Sequence, residues 1–269
     1  MQTEPGRLGI LLPGLGAVAS TFIAGVLASR QGLAAPVGSL TETGLLGDQP
    51  MRDALDLAGL DDLVFGGWDP YRVTALDAAR RAGVLDAALL DKLGPELLEI
   101  KAMPAVFDQD WVPALTDTDN VKQGATHLDL ANALRADVTA FKDEHHLDRV
   151  VAVWTGSTEA YREPGPAHES LDAFEHALAS NDPSISPSQI YAYALIREGV
   201  PVANGSPNLM FDFPAMHELV ALTGTPVAGR DFKTGQTLVK TALAPMLAAR
   251  LLGVNGWFST NILGNLDGL

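Results

Sequence analysis

The 269-residue sequence contains no cysteine. That removes disulfides, thiol catalysis, zinc knuckles and iron–sulfur ligation together, fits a reducing cytoplasmic setting, and leaves oxygen or nitrogen as any nucleophile. Basic residues are scarce, 18 Lys and Arg against 33 Asp and Glu, for a formal charge of −15. Such a surface repels phosphate backbones and anionic lipid at long range, so nucleic acid and membrane surfaces are not expected partners. The Tyr-x-x-x-Lys pair of short-chain dehydrogenases is also missing, because none of Tyr71, Tyr161, Tyr191 and Tyr193 has Lys four residues later. Disorder is excluded by 47% hydrophobic against 19% charged residues and a mean hydropathy of +0.12.

The one long uncharged run, Leu8 to Ser29 between Arg7 and Arg30, could span a bilayer or pass for a signal peptide. Its Gly9, Pro13, Gly14, Gly16 and Gly25, and the Pro-Gly stop after LGILL, instead read as strand then turn. Apolar strand-like runs recur at Leu8–Leu12, Leu63–Trp68, Val150–Trp154, Val200–Ala203 and Pro226–Ala228, with a sixth expected at Gly256–Ile262. Helical segments between them predict an α/β protein with a parallel sheet. The Pro- and Asp-rich stretch Asp91–Gly124 reads as an irregular surface insertion. Helix starts are marked by Ser186-Pro187-Ser188, with Gly199 beyond the far end, and by Thr126 with Asp129 three residues on. His145 and His146 close the second of these helices, where positive charge suits the dipole, and need no metal to explain them.

Gly14-Leu15-Gly16-Ala17-Val18-Ala19 is a G-x-G-x-x-A run directly after a strand and directly before a helix, the context that a dinucleotide fingerprint requires. A plain strand–turn–helix carries the same letters. The acid expected some twenty residues on, for the ribose, is missing apart from Glu42, which lies in a stretch with little strand character. Asp69, at the end of Leu63–Trp68, restores the logic if an insertion delays the second strand, although an Asp there also suits a helix cap. Thr155-Gly156-Ser157-Thr158 and Asn204-Gly205-Ser206-Pro207-Asn208 follow the third and fourth strands. They fall on the rim where open α/β sheets bind ligands, and ordinary turn chemistry would also place them there. Gly229 to Thr237, GRDFKTGQT, leads into another helix and forms either a second phosphate cradle, with Lys233 for charge and Asp231 to orient a group, or a capped turn.

Together these segments resemble the myo-inositol-1-phosphate synthase family. The carrying motifs are GLGAVAS at Gly14–Ser20, GGWD at Gly66–Asp69, VVAVWTGSTE at Val150–Glu159, VANGSPN at Val202–Asn208, GRDFKTGQT at Gly229–Thr237 and NILGNLDG at Asn261–Gly268. The resemblance implies a Rossmann-type, doubly wound parallel sheet over residues 1–228 with the insertion near 91–124. Residues 229–269 would begin a second α/β domain for catalysis and tetramerisation. It implies NAD as cofactor and glucose 6-phosphate as substrate, converted to 1L-myo-inositol 1-phosphate by internal oxidation, aldol closure and reduction. By position, Gly14, Gly16, Ala17, Val18, Asp69, Thr155, Gly156, Asn204 and Ser206 would face NAD. Thr234, Gly235, Gln236, Thr237, Asn261, Asn265 and Asp267 would face the substrate, with Asp231 and Lys233 as the catalytic candidates.

Departures from the family pattern are Ala-Val-Ala in the glycine loop, Thr234 for Ser, Gly156-Ser157 for Ala-Asn, and Leu266 for Asn. The family also continues past its N-x-x-G-N-x-D-G motif and carries most of its catalytic lysines there, at positions that Lys233 and Lys240 do not match. The resemblance implies a synthase that looks C-terminally truncated; the missing lysines suggest the alternative of a non-catalytic NAD-binding fragment or assembly partner, and the same nucleotide loop would also serve a simple sugar-phosphate dehydrogenase. Exposed strand edges in the second domain predict a homo-oligomer.

Overall fold

In a computed structural model of the chain, the structure describes residues 6–232 and 235–257. Six parallel strands form one sheet: β1 (Leu8–Pro13), β4 (Leu63–Asp69), β5 (Met103–Pro104), β6 (Arg149–Trp154), β7 (Val202–Asn204) and β8 (Val227–Ala228). Their spatial order is β5-β4-β1-β6-β7-β8. The chain winds outward from β1 through β4 to β5, crosses back to β6, and winds outward the other way, which is the doubly wound Rossmann order with its switch point between β1 and β6. β1 is buried along nearly its whole length, and β4 over its last five residues, as strands covered by helices on both faces must be.

One face carries α1 (Ala17–Arg30), α4 (Ala75–Ala82) and α5 (Ala87–Glu99), packed over Ile10, Leu12 and Phe65. The other carries α6 (His127–His145), α7 (Leu171–Ser180), α8 (Pro187–Arg197) and α9 (Pro214–Thr223), packed over Leu11, Trp68 and Ala152. Alternate residues of β1 thus supply the two cores, the period-two rule at work in its central strand. α8 is buried from Pro187 to Ile196 and begins as expected, with Ser186 as N-cap, Pro187 in the first turn and Gln189 completing the capping box. Thr126 and Asp129 cap α6 reciprocally, and His146 ends that helix in a left-handed conformation.

Between α1 and β4 the chain makes a small, largely exposed excursion. It comprises α2 (Leu40–Thr43), a hairpin of β2 (Leu45–Leu46) and β3 (Gln49–Pro50), and α3 (Met51–Ala54). This excursion delays the second long strand, so that the acid at a strand end after the glycine-rich turn is Asp69 and not Glu42, which lies in α2. Leu8–Ser29 divides into β1 and α1, and among the described residues no helix is long and apolar enough to cross a membrane.

Three expectations about elements change. Asp91–Glu99 is not irregular but the body of α5, because Leu90, Leu93 and Leu97 form a buried stripe at helical spacing while Pro95 sits on the exposed side. Met103–Pro104 then joins the sheet as its edge strand, leaving only the span from Ala105 to Gly124 without helix or strand. The strand expected at Val200–Ala203 starts two residues late, since the Val200 N–H bonds back to Leu195 and Pro201 has none to give. Gly256 and Trp257 are not in a strand, and the rest of the expected sixth run lies outside the described residues. α10 (Gly235–Ala249) follows β8.

Pro95 costs α5 one backbone hydrogen bond at a solvent-facing position. Pro95→Ala is expected to raise stability by about 1–2 kcal/mol, the helix gain less the lost restriction of the unfolded chain, read as a higher urea midpoint at unchanged slope.

Candidate functional site

The carboxyl ends of β4, β1 and β6 meet at the glycine-rich turn. Gly14 leaves β1 at φ +91°, and a methyl group on its Cα would stand 2.3 Å from the Gly156 Cα and 2.4 Å from its nitrogen. Two backbones therefore touch where Gly14 has no room for a side chain, while a Cβ on Gly156 would press on the Trp154 indole at 2.9 Å. The turn is held from both sides: the Trp68 carbonyl accepts from Gly14 N at 2.8 Å and Leu15 N at 3.3 Å, while the Thr155 N–H and hydroxyl reach the Pro13 carbonyl at 2.9 and 3.1 Å. The Thr155 hydroxyl also lies 2.7 Å from the Gly14 carbonyl.

Gly16 differs from Gly14 in kind. It is the N-cap residue of α1, supplies no capping side chain, and faces open space where its Cβ would be. The first N–H groups of α1 consequently point outward without a side-chain acceptor, the arrangement that suits an anion. Ala19, the third residue of the fingerprint, is fully buried against the sheet, where its small size permits close helix–strand packing.

A cavity of about 160 Å³ opens from this turn. Gly14, Gly16, Ala17 and Val18 line one side, Thr155 and Gly156 another, and Asp69 a third, so seven residues expected at a cofactor site share one wall system. Asp69 is buried, and loss of solvent pushes its pKa up against the opposing pull of the Tyr71 N–H, which donates to Oδ1 at 3.0 Å. It caps no helix; Thr74 does that for α4. Arg81, at the mouth, lies over the Tyr71 ring with its guanidinium carbon 5.5 Å from the centroid.

Asn204 and Ser206 are placed differently. Asn204 Oδ1 accepts from Ser206 N and Oγ, both at 2.9 Å, and Nδ2 donates to the Asn208 carbonyl, so its amide organises the loop instead of lining the main cavity. Asn208 carries the network to the neighbouring rim by accepting from Glu159 N and donating to the Ser157 carbonyl. Ser206 lines a smaller recess of about 60 Å³, shared with Val18, Thr155, Gly156 and Asp231. Asp231 has φ +100°, a conformation that side-chain-bearing residues rarely adopt, and backbone N–H groups of Asp231 and Phe232 bond to the Asn204 and Gly205 carbonyls. Gly235, Gln236 and Thr237 form the first turn of α10. Lys233, Thr234, Asn261, Asn265 and Asp267 lie outside the described residues.

Three features were not singled out from the residues alone. Glu159 reaches the N-terminus of α8, where its carboxylate accepts from Ser188 N at 2.7 Å and Ser188 Oγ at 2.6 Å, and burial raises its pKa against those bonds. Tyr191 stands beneath the cavity between Trp68 and Trp154, edge-on to both, with its pKa pushed up by burial. Asn120 is buried beside Asp69 within the irregular span. A Glu nine residues beyond the strand start and an amide in a loop give no sequence signal of these contacts; an all-apolar helix face around Tyr191 gave a core signal only.

Gly14→Ala is expected to destabilise by about 3 kcal/mol, from the positive φ and the backbone contact, whereas Gly16→Ala costs under about 1 kcal/mol. Asp69 binds its proton more readily folded than unfolded, so its contribution to stability falls as pH rises through its raised pKa. Asp69→Asn, which keeps the acceptor for Tyr71, is expected to melt higher than the parent chain at neutral pH, with the gap closing in acid below the usual carboxylate range.

A family model for an NAD-binding domain, described as myo-inositol-1-phosphate synthase, matches residues 8–253. An inositol-3-phosphate synthase 1 of Bacteroides thetaiotaomicron is 47% identical over 275 residues, covering 100% of this chain and 64% of that protein. The inositol-3-phosphate synthase 1 of Oryza sativa subsp. japonica is 32% identical over 290 residues, covering 99% of this chain and 57% of the other. A crystal structure of inositol-3-phosphate synthase from Caenorhabditis elegans superposes with a TM-score of 0.82 at 30% identity, over 91% of this chain and 53% of that one. The chain thus spans less than two thirds of the length of each of these relatives. On the match of the family model and the identity to these relatives, the chain belongs to the myo-inositol-1-phosphate synthase family.

Proposed function

We propose that this chain is the nucleotide-binding part of a myo-inositol-1-phosphate synthase, holding NAD across the carboxyl ends of β1, β4 and β6 and acting on glucose 6-phosphate. The observation that carries the reading is the convergence on one cavity of the open Gly16 turn, the uncapped α1 N-terminus and the buried Asp69. Those residues fit the cofactor. The α1 N–H groups can take a pyrophosphate at Gly16, and Asp69 can accept from a ribose hydroxyl. When bound, the nicotinamide supplies reversible hydride exchange, so oxidation and later reduction of the sugar leave no net redox change. The Trp68 carbonyl and Thr155 hold the turn in place through hydrogen bonds to its backbone.

The recess beside the turn, with Ser206 and Asp231, is where the substrate would approach. In this reading Asp231 and Lys233 do the acid–base and charge-stabilising work, and Thr234, Gly235, Gln236, Thr237, Asn261, Asn265 and Asp267 hold the sugar phosphate. Residues 1–228 are the nucleotide domain and 229–269 begin the next one. The assembled enzyme is a cytoplasmic homo-oligomer that feeds inositol into phospholipid synthesis.

Calorimetric titration of the purified chain with NAD is expected to give saturable binding, and Asp69→Ala to weaken it roughly 10- to 100-fold, the worth of about 1.5–3 kcal/mol for a hydrogen bond to a charged group. Failure of the parent chain to bind NAD overturns the reading. Phosphorus NMR of the same sample with glucose 6-phosphate then decides whether these residues turn over alone: an inositol monophosphate signal assigns the chemistry to them, and bound NAD without product assigns part of it to other segments of the enzyme.

A further inference from the structure

The ribose carboxylate sits where the sheet runs out of donors. Asp69 is the last residue of β4 and pairs with Pro104, and the residue that follows it is Pro70. Pro70 has no N–H to give, and in this parallel register the ladder donor facing the Asp69 carbonyl is the residue after Pro104. The N–H of Ala105, next along β5, is already given to the Asn120 carbonyl at 2.8 Å.

Asn120 supplies what is missing. Its side-chain amide lies 3.0 Å from the Asp69 carbonyl, 3.2 Å from that of Met103 and 3.4 Å from that of Ala102, and so joins the ends of β4 and β5. Its backbone N–H and that of Asp119 both bond to the Pro70 carbonyl, at 2.9 and 3.1 Å. The Asp119 carboxylate in turn receives Arg72 N at 2.8 Å. Two residues on, Lys122 pairs at 2.7 Å with Asp137 of α6, whose same oxygen accepts from the Trp68 indole N–H at 2.6 Å. A strap from 119 to 122, with Asn120 buried at its centre, therefore grips β4 on both sides of the Asp69 carboxylate.

We propose that Asn120 is a positioning residue for cofactor recognition, fixing the Asp69–Pro70 peptide so that the Asp69 carboxylate meets the adenosine ribose hydroxyl. The inference rests on the reading that NAD occupies this cavity with Asp69 at its ribose. Asn120 itself does not line the cavity, so its effect on the ligand passes through Asp69.

A cycle between protein and ligand tests it. NAD and its analogue lacking the adenosine 2′-hydroxyl are titrated calorimetrically into the parent chain, Asn120→Ala and Asn120→Ser, with folding of each checked by thermal unfolding. The parent chain is expected to bind the deoxy analogue roughly 10-fold or more weaker than NAD. In Asn120→Ala that ratio is expected to fall to about 3 or less, with NAD itself bound about 10-fold weaker, because the misdirected carboxylate no longer distinguishes the two ligands. Asn120→Ser, which keeps one donor, should fall between, and carries the same test if the alanine variant does not fold.

A general loss of stability would weaken both ligands alike, so a variant that keeps the full parental ratio overturns the proposal whatever its absolute affinity. If the parent chain binds NAD but does not distinguish the analogue, the Asp69 ribose contact fails and the role of Asn120 fails with it. If the parent chain binds neither ligand, it is the cofactor reading that has failed, and the inference resting on it falls too.

Discussion

The contact of Gly14 with Gly156 sets the spacing of everything around it. A single added methyl at Gly14 would overlap the backbone of Gly156, so β1 and β6 can end this close only with glycine at position 14. Closeness lets Thr155 reach across to the Pro13 and Gly14 carbonyls, and lets the Trp68 carbonyl take the amides of the turn from the other side. Three strands are thereby tied at one point, and α1 begins immediately beyond it with its N–H groups free of side-chain acceptors. The switch point of the sheet is a rigid junction before any ligand arrives.

Much of this was legible in the sequence because the central strands are covered on both faces and so appear as unbroken apolar runs. The runs Leu8–Leu12, Leu63–Trp68 and Val150–Trp154 needed no tertiary information and fall within one residue of the strands β1, β4 and β6. The fingerprint likewise told its glycines apart, one for the turn and one for open approach. The long interval between the glycine-rich turn and the acid-ended second strand has a structural cause, a small excursion with its own two-stranded hairpin.

What was not legible depended on solvent exposure or on contacts distant in the chain. Pro95 reads as a helix breaker, yet a proline on the wet side of a helix loses one bond while the Leu90, Leu93 and Leu97 stripe keeps its burial. Asn204 reads as a rim ligand, yet its amide is used up within its own loop. Asn120 reads as nothing at all. Its value lies in joining the Asp69 carbonyl, 51 residues away, to those of Ala102 and Met103, beside Pro70, which has no amide to give. Side-chain amides in both loops do the work of missing backbone donors, which ties their identity to the prolines and turns beside them.

The floor of the cavity is aromatic: Trp68 and Trp154 stand edge-on to Tyr191 from two sides, with ring centroids 5.4 and 5.5 Å away, and the Trp154 indole N–H is buried without a partner among the described residues. Two of the four tryptophans of the chain thus border the same space. Indole emission overlaps the absorption of a reduced but not of an oxidised nicotinamide, and transfer between them is efficient at such short range. Were a nicotinamide held in this cavity, the emission of Trp68 and Trp154 would fall on its reduction, and the two indoles would report its oxidation state.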